Sequence, residues 1–135
     1  MNIKMAFRAA IIIEWGSAIL AVWVSELFIS KLPLQLQEYL QWQSEQEFTD
    51  TENIIFYASM FLLLACLITS IGLYLFKPWA KQAYIFVRVV ALTAIVAMGP
   101  VVDHAFPSAI DTISTVMFGF ILALLLYTNV YKTEQ

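Results

Sequence analysis

The chain has 135 residues, of which 61% are apolar and only 13% charged, with a mean hydropathy of +0.80. A water-soluble domain carries about 45–50% apolar and about 25% charged residues, so this composition excludes an ordinary soluble globule. It also excludes a disordered chain, which needs low hydrophobicity and high charge. The formal net charge of −3 gives no basic field for nucleic acid, one cysteine excludes an intramolecular disulfide framework, and one histidine argues against a conventional zinc site.

A membrane-crossing helix needs roughly 20 mostly apolar residues. Four segments qualify, at about 6–29, 54–76, 83–102 and 113–131. None alternates as a membrane β-strand would, and backbone groups in lipid must be bonded within their own segment. The expected fold is all-α: one transmembrane domain over residues 1–135, an integral four-helix bundle.

The first span opens with Lys4 and Arg8 and continues as an apolar run from Ala9 to Val24. No Ala-x-Ala type cleavage site follows and Glu14 interrupts the run, so it reads as an uncleaved anchor rather than a signal peptide. Residues 30–53 form the longest piece outside the spans. In it Leu36, Tyr39, Leu40 and Trp42 alternate with Gln35, Gln37, Gln41 and Gln43 after Pro33. This pattern suits a short amphipathic helix on the outer membrane surface; a solvated connector is the competing reading. Thr49 or Asp50 is a candidate cap for the second span.

The second span runs into Lys77-Pro78-Trp79. Proline there would end the helix, tryptophan would anchor at the interface, and Lys77 and Lys81 would meet anionic headgroups. Gly99-Pro100 should kink or end the third span. Asp111 precedes the fourth and is placed to cap it.

Lysine and arginine near span ends set orientation. Lys4, Arg8, Lys77, Lys81, Arg88 and Lys132 fall on one side, against Lys31 on the other, which also carries Glu38, Glu45, Glu47, Asp50, Glu52, Asp103 and Asp111. Both termini are therefore expected on the cytoplasmic side of a bacterial inner membrane, with two acidic loops outside.

Lipid tails are themselves apolar, so helices in a bilayer associate through close packing of small residues and a few polar contacts. On this rule the inward faces are Ala10, Glu14, Ser17, Ala18, Ala21 and Ser25 on span one, Ala58, Ala65, Thr69 and Gly72 on span two, and Thr115, Gly119 and Ala123 on span four. Cys66 is expected as a packing residue.

Two groups of polar residues are candidates for function. Glu14 lies roughly 12 Å into span one and Arg88 roughly 9 Å into span three from the same side, at about 1.5 Å per residue. A lone charge at mid-membrane costs at least about 2.5–3.5 kcal/mol and usually pairs or faces water. Three readings follow: a Glu14–Arg88 ion pair, a protonatable Glu14 coupled to transport, or a neutral Glu14 beside an Arg88 that snorkels to the surface. The second group, Glu26, Asp103, His104 and Asp111, gathers at the outer face. It could in principle hold a divalent cation, but its spacing matches no metal motif and a solvated loop is the simpler reading. There is no nucleophile with a nearby base, no glycine-rich phosphate loop and no CxxC pair. The sequence thus makes no positive case for an enzyme or a cofactor.

A glutamate at position 14 in the first of four short spans resembles the small multidrug resistance transporters. The chain departs from them in its 24-residue acidic outer loop, residues 30–53, and in Arg88, which competes for the glutamate. Their activity is not carried over. The stretch Gly72-Leu-Tyr-Leu-Phe-Lys-Pro-Trp-Ala80, then Met98-Gly-Pro100, then Ile121-Leu-Ala-Leu-Leu-Leu-Tyr127 resembles a family of small, uncharacterised four-helix bacterial inner-membrane proteins, over roughly the C-terminal half. That resemblance implies no activity.

The expectation is a non-enzymatic membrane interaction protein, an accessory subunit, regulator or immunity-type protein, whose partners are the lipid bilayer and a membrane protein or a second copy, without nucleic acid. The alternatives are a small oligomeric transporter or channel using Glu14 and, third, a lipid-acting enzyme using Asp103, His104 and Asp111. Reporter fusions check the topology: tags on the two ends should both report the cytoplasm, and tags on opposite sides would reject it.

Overall fold

The computed structural model describes residues 3–46, 49–97, 104–128 and 130–131. The described residues are all-helical, without strands. Helix α1 spans Ile3–Phe28 and runs into a 3₁₀ turn, Ile29–Lys31; α2 spans Leu34–Glu45, α3 Asp50–Tyr74, α4 Pro78–Ala97 and α5 Ala105–Tyr127. Three are long and apolar enough to cross a membrane: α1 with its 3₁₀ extension (29 residues), α3 (25 residues) and α5 (23 residues). Helix α4 is 20 residues long and carries Lys81 and Arg88. Gly99-Pro100 and Asp103 lie outside the described residues.

Local chemistry explains most boundaries. Helix α3 opens with a capping box: Glu52 N–H donates to the Thr49 hydroxyl, and Thr49 N–H donates to the Glu52 carboxylate at 2.8 Å. Two orphan donors of the first turn are thereby satisfied. Helix α2 follows Pro33, and Gln37 fastens it to the preceding turn by donating from Nε2 to Leu32 O (2.6 Å) and Ser30 O (3.2 Å). No residue of α2 is buried, and Leu34, Tyr39 and Trp42 stay exposed.

Helix α3 ends at Tyr74, before the proline expected to stop it, and Pro78 instead begins α4. Lys77 N–H donates to Gly72 O and Phe76 N–H to Leu73 O, a Schellman closure. Phe76 adopts the left-handed conformation this closure needs (φ 53°), a position that usually takes glycine because a side chain there costs roughly 1–2 kcal/mol. Its ring is held by packing on Phe7 (5.8 Å between centroids) and Tyr131 (5.8 Å).

The main packed pairs are α1 with α5 and α3 with α4, and α1 also touches α3. The pairs converge at one end. There Phe7, Ala10 and Ile11 of α1, Leu73 of α3, Ala80 and Tyr84 of α4 and Ile121 and Leu125 of α5 form a single buried cluster. The starts of α1 and α4 bring Lys4, Arg8, Lys77 and Lys81 to this end, called here the basic end. At the distal end Phe28 of α1 packs on His104 (5.0 Å) and Phe106 (5.3 Å).

The small-residue rule holds for α1, where Ala10, Glu14, Ser17 and Ala21 are buried, and for Thr69 and Gly72 of α3. It fails at Ala58, which is exposed, and along α5, where Thr115, Gly119 and Ala123 are exposed rather than buried. The inward stripe of α5 is bulky: Phe118, Ile121 and Leu125 fill the space among the rings of the convergent end. Gly119 follows the packed Phe118 and Ala123 the packed Leu122, each about 100° round the helix from it.

A second correction concerns the start of α5. The expected span of about 113–131 is a helix over Ala105–Tyr127, eight residues earlier at its start. His104, not Asp111, is the N-cap, its Nδ1 accepting from Phe106 N–H at 3.2 Å. Pro107 falls within the first turn, where its missing N–H is no loss.

At Gly72 the backbone of α3 lies close against the first turn of α4. A Cβ built there would lie 2.8 Å from Ala80 Cβ and 2.9 Å from the Trp79 ring. Gly72→Ala should therefore destabilise the protein by about 1–3 kcal/mol, and Ala80→Gly in the same chain should restore part of the loss. Thermal unfolding in detergent micelles reads both; an unchanged midpoint for Gly72→Ala would contradict this packing.

Candidate functional site

Glu14 is the most deeply placed charge of the described chain, with 2% of its surface exposed. It lies three to four residues beyond Ala10 and Ile11 and three before Ser17 on the buried face of α1. Its carboxylate accepts from Arg88 Nη2 of α4. Tyr84, one turn earlier on α4, donates its hydroxyl to the same carboxylate at 3.2 and 3.3 Å, long for an O–H···O bond. The Arg88 guanidinium lies 5.1 Å from the Tyr84 ring and 5.2 Å from the Phe118 ring. It thus sits between a carboxylate and two π faces, each of which favours a cation. Arg88 remains 21% exposed at the side chain, and its Nε has no partner.

This arrangement neutralises two charges at the depth where each alone is costly. It also joins the helix pairs, since Glu14 belongs to α1 and Arg88 to α4. Truncating one member of a buried pair leaves an uncompensated charge, which is worse than removing both.

Two cavities flank the pair. One, of about 210 Å³, lies between α4 and α5 and is lined by Glu14, Arg88, Asp111, Ser114 and Thr115 among others. The other, of about 190 Å³, reaches Arg88 from the side of Trp15, Ser59 and Cys66. A third cavity, of about 610 Å³, lies toward the distal end and is lined by Ser25, Glu26, Ser108 and Asp111. Asp111 is common to the first and third.

Of the expected outer group, Glu26 and Asp111 thus line one cavity. His104 is committed to capping α5 and to its ring contact with Phe28, and Asp103 lies outside the described residues. Among the described residues no three His, Cys, Asp or Glu side chains gather as a metal ion would require. Cys66 is buried on α3. Residue spacing alone did not single out Tyr84 or Phe118. The available signal for Tyr84 was its position four residues before Arg88, which puts both on one helical face. No protein-family model, curated protein or solved structure matches the chain.

A double-mutant cycle tests the energetic coupling. Glu14→Gln and Arg88→Gln should each cost about 3 kcal/mol, and the double variant should be at least about 1 kcal/mol more stable than the sum of the singles. Unfolding in detergent micelles measures this, and additive losses would reject the pair as a unit.

Proposed function

We propose that the chain crosses a bacterial inner membrane four times, with both termini cytoplasmic and α2 on the outer surface. We further propose that it acts there as a non-enzymatic interaction protein, an accessory subunit, regulator or immunity-type protein bound to a membrane partner or to a second copy of itself. The observation that carries this reading is the enclosure of Glu14: its carboxylate is already engaged by Arg88 and Tyr84 and so serves assembly before it serves exchange. Two further features support it. Lys4, Arg8, Lys77 and Lys81 collect at one end of the bundle, as cytoplasmic placement of that end favours. The exposed Gly119 and Ala123 on α5 make the kind of surface that lets a further helix approach closely.

Mild-detergent extraction followed by affinity capture and size analysis tests the reading. A stoichiometric partner or a defined homo-oligomer is expected, and Gly119→Leu should disperse it by blocking close approach. A monomer without partner would overturn it.

One observation favours a second reading, a small oligomeric transporter using Glu14. Asp111 lines both the cavity beside Glu14 and Arg88 and a larger one toward the distal end, and a solute or proton would need a route linking the two. On that reading Glu14→Gln abolishes flux into proteoliposomes. Absence of flux in the wild type, or unchanged flux in the variant, removes it.

A further inference from the structure

We propose that His104 is a proton-operated cap, which closes the start of α5 while its imidazole is neutral and releases it when the ring is protonated. The cap is made by Nδ1, which accepts from Phe106 N–H at 3.2 Å. That bond fixes the tautomer: a nitrogen that accepts carries no hydrogen, so the proton of the neutral ring sits on Nε2. Serine, threonine, asparagine and aspartate are the usual caps, and they accept throughout the neutral range. A histidine cap differs, because histidine is the side chain whose unperturbed charge change falls between about pH 5 and about pH 8.

Protonation weakens the capped arrangement in three ways. Nδ1 gains a hydrogen and becomes a donor, so two N–H groups face each other where one had accepted. The new cation stands at the positive end of the α5 dipole, where that sign of charge is disfavoured. A cation is already close by: the Lys31 ammonium lies 4.5 Å from the Phe28 ring, and the His104 ring packs on the same Phe28 at 5.0 Å. A protonated ring keeps its attraction to an aromatic face, but that attraction does not restore the lost acceptor. The carboxylates of this end are Glu26 on α1 and Asp111 on α5, with Asp103 adjacent in sequence and outside the described residues. They favour the charged ring without replacing the cap.

The contacts of the first turn run through the same residues. Phe28 of α1 packs on His104 and, at 5.3 Å, on Phe106, and the first backbone bond of the helix is Ser108 N–H to His104 O at 3.2 Å. Pro107 contributes no N–H, though its burial limits how far the turn can loosen. Losing the cap therefore frees Ala105 and Phe106 and, through the shared Phe28, slackens the distal meeting of α1 with α5. Ser25, Glu26, Ser108 and Asp111 line the cavity of about 610 Å³ at that meeting. Acid at this end thus widens the gap between α1 and α5 beside a polar cavity. The device needs no partner and no particular topology; the four-span reading adds only that the outer face supplies the protons.

The test is amide hydrogen exchange over residues 104–112 of the full chain in lipid nanodiscs, where both faces meet the buffer. Each rate is divided by that of the unstructured sequence at the same pH. Between about pH 8 and about pH 5, protection of the Phe106 and Ser108 amides should fall roughly fivefold, the factor that loss of a typical cap supplies. His104→Asn, which caps without titrating, should hold protection high and flat, and His104→Ala should hold it low and flat. Spin labels at Leu27→Cys and Ala109→Cys, both exposed positions, in a Cys66→Ala background should move apart in acid, and should not do so when His104→Asn is added. Constant protection in the unsubstituted chain, or a label distance that does not change with pH, would overturn the proposal. So would an equal fall in His104→Asn, which would give the titration to Glu26 or Asp111 rather than to the imidazole.

Discussion

Glu14 and Arg88 belong to different helix pairs, and their meeting constrains how those pairs can sit. Helices α1 and α5 pack along each other, as do α3 and α4, but in a bilayer neither pair gains much by burying apolar surface against the other, since lipid would cover that surface equally well. A carboxylate on one pair and a guanidinium on the other change the balance. Each is costly alone in hydrocarbon, and together they leave the bundle a strong reason to close at that depth and in that register. Tyr84 and Phe118 flank the guanidinium and narrow the geometries available to it.

The two ends of the molecule differ as a consequence. Toward the basic end, beyond the pair, Phe7, Leu73, Tyr84, Ile121 and Leu125 are fully buried, and Gly72 brings α3 against α4. Toward the distal end the interior is looser and more polar, with Glu26, Ser108 and Asp111 lining open space between α1 and α5. The ion pair stands at the boundary between these two regimes.

The helices were legible because long apolar runs in a chain this poor in charge have few other uses. The meeting of Glu14 with Arg88 was legible as one alternative from depth alone, since both lie at similar distances from the same end. Sequence pattern failed where tertiary packing decided. The stripe Thr115, Gly119 and Ala123 had the spacing of a packing face, yet the aromatic cluster at the basic end required bulk from α5 and turned Ile121 and Leu125 inward instead. The start of α5 was missed because Pro107 and the polar residues around it look like a loop, whereas His104 caps the helix and proline is harmless in a first turn. Phe76 in a left-handed turn carried no sequence signal at all, since glycine is the residue that usually marks such a position.

The Glu14–Arg88 contact holds the α1–α5 pair against the α3–α4 pair. Its most direct test is the distance distribution between spin labels at Trp23→Cys on α1 and Phe61→Cys on α3, both exposed positions, in a Cys66→Ala background within lipid nanodiscs. With Glu14 and Arg88 intact a single narrow distribution is expected, and Glu14→Gln should broaden it and shift it to longer distances. An unchanged narrow distribution in Glu14→Gln would show that the contact does not hold the pairs together.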